Sequence, residues 1–346
     1  MKHQTTRYGE IPFYKIGTFG NTADAFISKK LFLEYKTKYS FPKKGDILIS
    51  ASGTIGRAVI YDGKPAYFQD SNIVWIDNDE TLVKNDFLFY AYSNVKWNTE
   101  HTTILRLYND NFRNTLIPLP PLNEQIAIAN ILSALDRYLC ALDALILKKE
   151  GVKKALSFEL LSQRKRLKGF NQAWQRVRLG DIANYLTSNL SAEQITQQGK
   201  IKVYDVNNFI GYTDTTFISD KPYISIVKDG SVGRVRILPP KTNILSTMGA
   251  LIANHRTTTE FLFYLLSNFD FKNFTSGSII PHIYFKDYKE KTIFLPPLNE
   301  QSAIANILSG LDNEIASLKN KKRQFENIKK ALNHDLMSAK IRVLKK

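Results

Sequence analysis

Two short turns carry the residue types that bind phosphate groups. One reads Gly53-Thr-Ile-Gly-Arg57 and the other Gly230-Ser-Val-Gly-Arg234. Backbone N–H groups, hydroxyls and basic side chains on exposed loops bind phosphate oxygens, whereas Arg and Tyr also contact bases. The alternative is that the glycines only form tight turns and the aromatic residues only pack. The candidate contact residues around the two turns, together with two pairs that occupy matching places later in the chain, are Ser52, Thr54, Arg57, Lys228, Ser231, Arg234, Arg106 with Tyr108, and His282 with Tyr284.

The chain lacks the short motifs that mark common catalytic and cofactor sites. It contains no GxxxxGK[ST] phosphate loop, no HExxH and no CxxC. Gly53-Thr-Ile-Gly56 lacks the third glycine of a dinucleotide fingerprint, and a tight β-turn explains it better. The five histidines are scattered without metal-ligand spacing. We therefore expect a non-catalytic protein that holds no cofactor and no metal.

The charge balance indicates a polyanionic partner. Lys and Arg total 48 against 32 Asp and Glu, which gives a net charge of +16 and a pI near 9.6. Nucleic acid and an anionic membrane surface are the usual partners of such a surplus, and simple solubility is the alternative. The sequence contains no run of about twenty apolar residues, which is the length that a helix needs to span a bilayer. A polar N-terminus and a single cysteine, Cys140, fit a cytoplasmic protein, and the apolar neighbours of Cys140 predict a buried thiol.

An internal repeat organises the whole chain. Residues 119–136 read LPPLNEQIAIANILSALD, and 176 residues later 295–312 read LPPLNEQSAIANILSGLD. The register continues without a gap through the following helix, and a weaker correspondence runs upstream of both copies. Phe87-Leu-Phe-Tyr, for example, corresponds to Phe261-Leu-Phe-Tyr. Each half is thus a divergent domain followed by a nearly invariant helix.

The conserved segments predict two long helices. Each proline pair ends the preceding extended segment, Asn123 and Asn299 stand at the expected N-cap, and Glu124 and Glu300 suit the positive helix end. An apolar seam of about four heptads needs a partner. We expect an antiparallel pair of the two copies within one chain, and a homodimeric coiled coil is the alternative. The predicted seam comprises Ile131, Leu135, Tyr138, Leu142, Leu145, Val152 and Leu156 in the first copy, and Ile307, Leu311, Ile315, Leu318, Phe325, Ile328, Leu332 and Leu336 in the second.

The divergent regions alternate apolar runs with turn residues, which indicates α/β domains around curled sheets. Residues 87–94 and 260–268 are typical of short buried helices. Strands are predicted at 47–49, 57–61, 73–76, 201–204, 224–227 and 235–238.

The doubled Pro-Pro-Leu-Asn-Glu-Gln element, each copy opening a long helix after a divergent domain, resembles the specificity subunit of type I restriction-modification systems. Trp174-Gln-Arg-Val-Arg-Leu-Gly-Asp181 is similar to the start of that family's recognition domain, and Lys44-Gly-Asp-Ile-Leu-Ile49 with the first glycine turn is similar to its internal signature. The resemblance implies two target recognition domains that read the halves of a split double-stranded DNA sequence. It implies a helix pair that fixes the unread spacer and docks two methyltransferase subunits, with restriction subunits joining for cleavage. S-adenosylmethionine and ATP would belong to those partners.

On this basis, 1–119 is the first recognition domain, 120–168 the first helix, 169–295 the second recognition domain and 296–346 the second helix. The first half departs from the pattern, because it begins almost directly at Gly9-Glu-Ile-Pro-Phe-Tyr14 and lacks a counterpart of the segment from Trp174 to about Gln198. The rival hypothesis is a coiled-coil interaction protein without a nucleic-acid role, or a DNA-binding dimer without a restriction partner. An affinity for DNA that falls with salt would distinguish a DNA-binding protein from a coiled-coil interaction protein without a nucleic-acid role.

Overall fold

The computed structural model describes residues 4–68, 72–97 and 106–344. The chain divides into two compact units: unit 1 comprises Met1–Asp143 and Asn320–Lys346, and unit 2 comprises Ala144–Lys319. Both units combine strands and helices, which confirms the expected α/β class.

The described residues of unit 1 form two small sheets and three short helices. Its strands are β1 Ile11–Tyr14, β2 Phe26–Ile27, β3 Ile47–Ser50, β4 Ala58–Ile60, β5 Tyr67–Phe68 and β6 Ile73–Trp75. Its short helices are α1 Lys29–Lys38, α2 Asn85–Tyr92 and α3 Asn109–Arg113, followed by the long helix α4 Leu122–Leu161, which continues into unit 2. The sheet orders are β2–β1–β5, with β1 and β5 parallel, and β4–β3–β6, which is antiparallel.

Unit 2 repeats this plan with more strands. Its strands are β7 Gln175–Arg178, β8 Ala183–Thr187, β9 Ile201–Tyr204, β10 Phe209–Thr213, β11 Tyr223–Val227, β12 Val235–Leu238, β13 Thr242–Ile244, β14 Met248–Ala253, β15 Thr275–Ser276, β16 His282–Ile283 and β17 Thr292–Leu295. Its helices are α5 Thr259–Ser267, α6 Phe285–Tyr288 and the long α7 Leu298–Met337, whose second half belongs to unit 1. The sheet orders are β10–β9–β13, β12–β11–β14–β8, β15–β16 and β17–β7. All six predicted strands and both predicted short helices are confirmed.

Two differences separate the units. In unit 1, the ten-residue helix α1 occupies the connection between β2 and β3, which explains the greater length of that region. In unit 2, β8 pairs with β14, whereas β6, the counterpart of β14, pairs with β3 alone among the described strands. The segment that contains β7 and β8 is therefore a structural part of unit 2.

The long helices pair antiparallel inside each unit. In unit 1, Lys322 and Asp143 form an ion pair at 2.7 Å, and the rings of Tyr138 and Phe325 lie 4.7 Å apart. In unit 2, Lys149 binds Glu314 at 2.8 Å, and α4 again runs opposite to α7. The expected intramolecular antiparallel pair is confirmed.

The same polar contacts hold a short helix to the long helices in both units. The Tyr90 hydroxyl donates to Asp136 at 2.8 Å, and Tyr264 donates to Asp312 at 2.9 Å. The aspartates also bind the ammonium groups of Lys329 and Lys153, respectively. Burial, reinforced by the aspartate, raises the pKa of both tyrosine hydroxyls, so they remain donors at neutral pH.

A glutamine in the first turn of each long helix accepts a hydrogen bond from a backbone N–H group at the start of a short helix, α2 in unit 1 and α5 in unit 2. Gln125 Oε1 accepts the Lys84 N–H at 2.8 Å, and Gln301 Oε1 accepts the Thr258 N–H at 3.0 Å. Both amide groups donate back to carbonyl groups, those of Leu82 and Pro120 and those of Arg256 and Pro296. Both glutamines are buried and make the same bonds, which explains why both copies of the Asn-Glu-Gln sequence end in glutamine.

Three sequence predictions about the helices are wrong in detail. Each helix begins at the leucine before the asparagine, and the Gln125 N–H bonds to Pro121 O, so Asn123 and Asn299 lie inside the first turn and are not N-caps. Several predicted seam residues are exposed, because part of the buried apolar face of α4 packs on the short helix α2 and not on α7. There, Ile128 and Leu132 contact Phe87 and Tyr90. Cys140 is exposed, so the prediction of a buried thiol is also wrong. The exposed seam residues are Ile131, Leu145, Val152, Ile307 and Ile328.

Candidate nucleic-acid interface

The glycine turn of unit 2 is the loop of the β11–β12 hairpin. The Gly233 N–H donates to Val227 O at 2.9 Å, and the Val227 N–H donates to Arg234 O at 2.9 Å. Gly230 and Gly233 have φ values of 82° and 80°, in the left-handed region. A Cβ on Gly233 would lie 2.6 Å from the Phe271 ring, so this position also lacks space for a side chain.

The glycine turn of unit 1 closes the β3–β4 hairpin in the same way. The Gly56 N–H donates to Ser50 O, and the Ser50 N–H donates to Arg57 O, both at 3.0 Å. Gly56 has a φ of 79°, and a Cβ there would lie 2.2 Å from Trp97 Nε1. Two turns of different sequence thus share one backbone geometry.

The structure brings the second group of candidates against each turn. In unit 2, the Ile283 N–H donates to Lys228 O, and the Gly230 N–H donates to Pro281 O, each at 2.9 Å. In unit 1, the Leu107 N–H donates to Ala51 O at 2.8 Å. The Arg106–Tyr108 pair and the His282–Tyr284 pair therefore lie beside their turns, although about fifty residues separate each pair from its turn in sequence.

The candidates of unit 2 form an exposed basic and aromatic surface. Tyr284 is 49% exposed, and its ring lies 6.5 Å from the His282 ring and under the Lys286 ammonium at 5.5 Å. His282 Nδ1 lies 2.7 Å from Asp229 Oδ1, which fixes the imidazole orientation. Ser231 and Arg234 are exposed on the turn, and Lys228 is half-buried.

Asp229 also acts on a neighbouring tyrosine. Burial raises the pKa of the Tyr185 hydroxyl above its ordinary value, and the negative charge of Asp229 adds to the shift. The Tyr185 ring stacks on Phe285 at 4.6 Å. The hydroxyl therefore stays protonated well above neutral pH.

Sequence reasoning missed two residues that support this surface. Arg234 Nη2 donates to Asn207 Oδ1 at 2.8 Å, and Arg236 Nη1 donates to Asn207 O at 2.9 Å. The Arg236 guanidinium also lies 5.3 Å over the Tyr204 ring. Arg234 and Arg236 stand two residues apart at the start of β12, which indicates that both side chains lie on the same face of the strand. The sequence did not indicate Asn207, which lies in the loop between β9 and β10.

The candidates of unit 1 differ in exposure. Thr54 is exposed and Arg57 is half-buried. The Arg106 guanidinium lies 5.8 Å over the ring of Tyr108, which is 40% exposed. Ser52 is buried, and its hydroxyl donates to Asn72 Oδ1 at 2.7 Å, so this side chain helps to hold the turn.

Residues 4–68, 72–97 and 106–344 include no cluster of three His, Cys, Asp or Glu side chains that could hold a metal ion. In that same part of the chain, no helix has the length and apolar character needed to cross a membrane.

Comparisons with known proteins agree with the repeated architecture. Residues 1–149 and 171–327 both match the family model of the type I restriction modification DNA specificity domain. The chain is 63% identical over 137 residues to a protein of Haemophilus influenzae, a match that covers 39% of this chain and 36% of that protein. It is 28% identical over 335 residues to a protein of Methanocaldococcus jannaschii, covering 86% of this chain and 79% of that one. Both relatives are named as putative type I restriction enzyme specificity subunits.

A solved structure shows the same fold. The type I restriction-modification S subunit from M. genitalium aligns with a TM-score of 0.62 at 20% identity, covering 97% of this chain and 91% of that one. The paired recognition units, the repeated helices and the two family matches together identify this chain as a member of the type I restriction-modification DNA specificity family.

Proposed function

We propose that units 1 and 2 each read one half of a bipartite double-stranded DNA sequence and that the chain itself catalyses no reaction. The supporting observation is that both units present the same hairpin turn beside the same second segment, with shared Arg and Tyr positions but different neighbours. Unit 1 has Arg106 where unit 2 has His282. Unit 2 has Lys228 and Asp229 where unit 1 has Ala51 and Ser52. One backbone platform with two side-chain sets suits two different half-sites.

The repeated helices suit a second role in assembly. Their first turns are nearly identical in sequence, and each exposes an apolar side chain, Leu122 in α4 and Leu298 in α7. Two equal surfaces on one chain fit two copies of the same partner. We infer that two methyltransferase subunits dock on the helices, that restriction subunits join this complex, and that helix length sets the unread spacer between the half-sites.

A matched pair of variants tests the assignment of half-sites. In the complex reconstituted with its methyltransferase subunits, the sequence of methylated sites should show two fixed blocks separated by an unread spacer. Arg57→Gln should weaken binding through one block and Arg234→Gln through the other, each by about tenfold to a hundredfold, since a good contact is worth roughly 1–3 kcal/mol. Competition binding with duplexes scrambled in either block measures the effect.

Lys330→Gln on the exposed face of α7 serves as the control for the loss of one positive charge and should leave both blocks unchanged. One continuous methylated sequence, or an equal loss at both blocks from either arginine variant, would contradict the proposal.

A further inference from the structure

A histidine and an aspartate form a hydrogen-bonded pair beside the turn of unit 2. His282 Nδ1 lies 2.7 Å from Asp229 Oδ1, and 34% of the histidine side chain and 30% of the aspartate side chain are exposed. Because an ionised carboxylate only accepts hydrogen bonds, Nδ1 is the donor in this pair. Among the described residues, none forms a hydrogen bond with Nε2 of His282. This second ring nitrogen is therefore the one that can contact DNA.

The backbone holds the imidazole in place from two sides. His282 forms an isolated β-bridge with Asp229, and on its other side it pairs with Ser276 of β15. A Cβ on Gly277 would lie 3.0 Å from Cδ2 of the imidazole, so the ring also packs closely against the loop that follows β15. The position of the ring is therefore set by the fold of unit 2.

Unit 1 has different residues at both places of this bridge. Ser52 and Arg106 form the equivalent bridge, so a neutral hydroxyl replaces the carboxylate and a guanidinium replaces the imidazole. A guanidinium is a permanent cation in proteins, whereas a free imidazole titrates near roughly pH 6.5. The two units therefore place a permanent cation and a titratable group at equivalent positions.

The elements around the imidazole carry several other charged groups. The Tyr284 ring lies 6.5 Å from the imidazole ring, and the Lys286 ammonium lies 5.5 Å over Tyr284. Burial, reinforced by Asp229, raises the pKa of the Tyr185 hydroxyl. Of all these groups, an imidazole is the one that ordinarily changes charge between about pH 6 and pH 8. The titratable and charged residues of these elements are Lys228, Asp229 and Arg234 of the turn, Tyr185 of β8, and Lys286 and Asp287 of α6.

A partly exposed carboxylate at this turn opposes the binding of DNA. The phosphate charges and Asp229 repel each other, and an unpaired negative charge facing a polyanion weakens binding. A proton on His282 neutralises the pair and gives Nε2 a hydrogen to donate. Bound DNA therefore favours the protonated imidazole.

We propose that His282, positioned by Asp229, takes up a proton from solvent when unit 2 binds its half-site. Nε2 then donates to an acceptor atom of the DNA, which is a phosphate oxygen or a purine N7. This assignment, which rests on the proposed reading of one block by each unit, makes the affinity of unit 2 for its block higher at lower pH. Unit 1, with Arg106 at the equivalent position, gains no such dependence.

The pH profiles of the two blocks test the proposal in the complex reconstituted with its methyltransferase subunits. The unit 2 block is the one whose binding Arg234→Gln weakens, and duplexes with either block scrambled report on one unit at a time. From about pH 8 to pH 6, affinity through the unit 2 block should rise at least about fivefold relative to affinity through the unit 1 block. Uptake of one proton allows at most about tenfold per pH unit. The comparison within one complex cancels the effects of pH on the partner subunits.

Three variants test the roles of the two residues. His282→Gln should remove the difference between the two pH profiles, and His282→Arg should remove it while keeping tight binding at pH 8. Asp229→Asn should bind the unit 2 block at pH 8 more tightly than the wild type, because the repelling charge is gone and the amide oxygen can still accept from Nδ1. A purely structural role of Asp229 would instead weaken binding. His255→Gln, at an exposed histidine in the loop after β14, is the matched control and should leave both profiles unchanged.

Equal pH profiles through the two blocks would overturn the proposal, as would a difference that His282→Gln leaves intact. Weaker binding through unit 2 at low pH would overturn it too, because the neutral imidazole would then act as an acceptor. Loss of the pH dependence with one 7-deazapurine in the block would identify a purine N7 as the acceptor, and its persistence with every such duplex would identify a phosphate oxygen. If Arg57→Gln and Arg234→Gln fail to separate the two blocks, the proposed function fails; if they separate them and the pH profiles do not differ, this inference alone fails.

Discussion

Glu124 and Glu300 are acidic side chains enclosed by protein near the start of each long helix. Glu300 accepts from Arg166 and from Trp174, and Glu124 accepts both Nε and Nη2 of Arg342 and the Val343 N–H. A carboxylate in such a place requires these donors, because removing it from water is costly. Each glutamate thus ties the chain that follows one long helix to the start of the other.

The Arg342 guanidinium, through its hydrogen bonds, holds the pKa of the Glu124 carboxyl below its ordinary value near 4.5, against the opposing effect of desolvation. Because the folded-state pKa is depressed, the contribution to stability is complete above the unfolded pKa and is lost as the pH falls through the folded pKa. We expect Glu124→Gln to lower the free energy of unfolding at pH 7 and to approach the wild type as the pH falls below about 4.5. Urea denaturation across that range measures the difference.

The exposed Glu193 provides the matched control, since Glu193→Gln removes a carboxylate on the surface and should change stability little at either pH. A deficit of Glu124→Gln that stayed constant down to pH 3 would show that packing, and not charge, accounts for it.

One of the positions at which the two long helices differ places a glycine inside α7. Gly310 in α7 corresponds to Ala134 in α4, and a Cβ on Gly310 would contact nothing within 4 Å. Glycine in a helix interior costs roughly 0.5–1 kcal/mol relative to alanine because it loses more backbone entropy on folding. Gly310→Ala should therefore raise the free energy of unfolding by about that amount in urea titrations.

Gly233→Ala, in the turn between β11 and β12, should have the opposite effect on stability. The φ of 80° and the close Phe271 ring mean that it should destabilise the protein by more than about 1 kcal/mol. Equal effects of the two variants would be incompatible with the backbone geometry of the turn.

The net charge of +16 belongs to the molecule as a whole. If several Lys and Arg side chains neutralise phosphates, counterions leave the DNA, and affinity must fall steeply with salt. We expect the isolated chain to lose at least about a hundredfold in affinity for duplex DNA between roughly 50 and 200 mM salt, as four or more phosphate contacts require. Filter binding or anisotropy at several salt concentrations gives the slope.

Lys228→Gln, next to the turn of unit 2, should reduce the magnitude of that slope by about one, as expected for the loss of one phosphate contact. Affinity that did not change with salt would instead support the coiled-coil interaction protein without a nucleic-acid role.

The sequence by itself determined the repeat, the approximate extents of the long helices and the positions of six strands. These features depend on local patterns: proline pairs stop a strand, and alternating apolar residues form buried strands. The near identity of residues 119–136 and 295–312 also indicated a common role of the two helices before any contact was known.

Tertiary structure decided which side chains face which partner. The spacing of apolar residues along the helices did not show that Ile131 and Val152 are exposed. The apolar face of α4 also packs on the short helix α2, and the position of α2 depends on long-range packing. The burial of Ser52 and the meeting of each glycine turn with its second segment have the same origin.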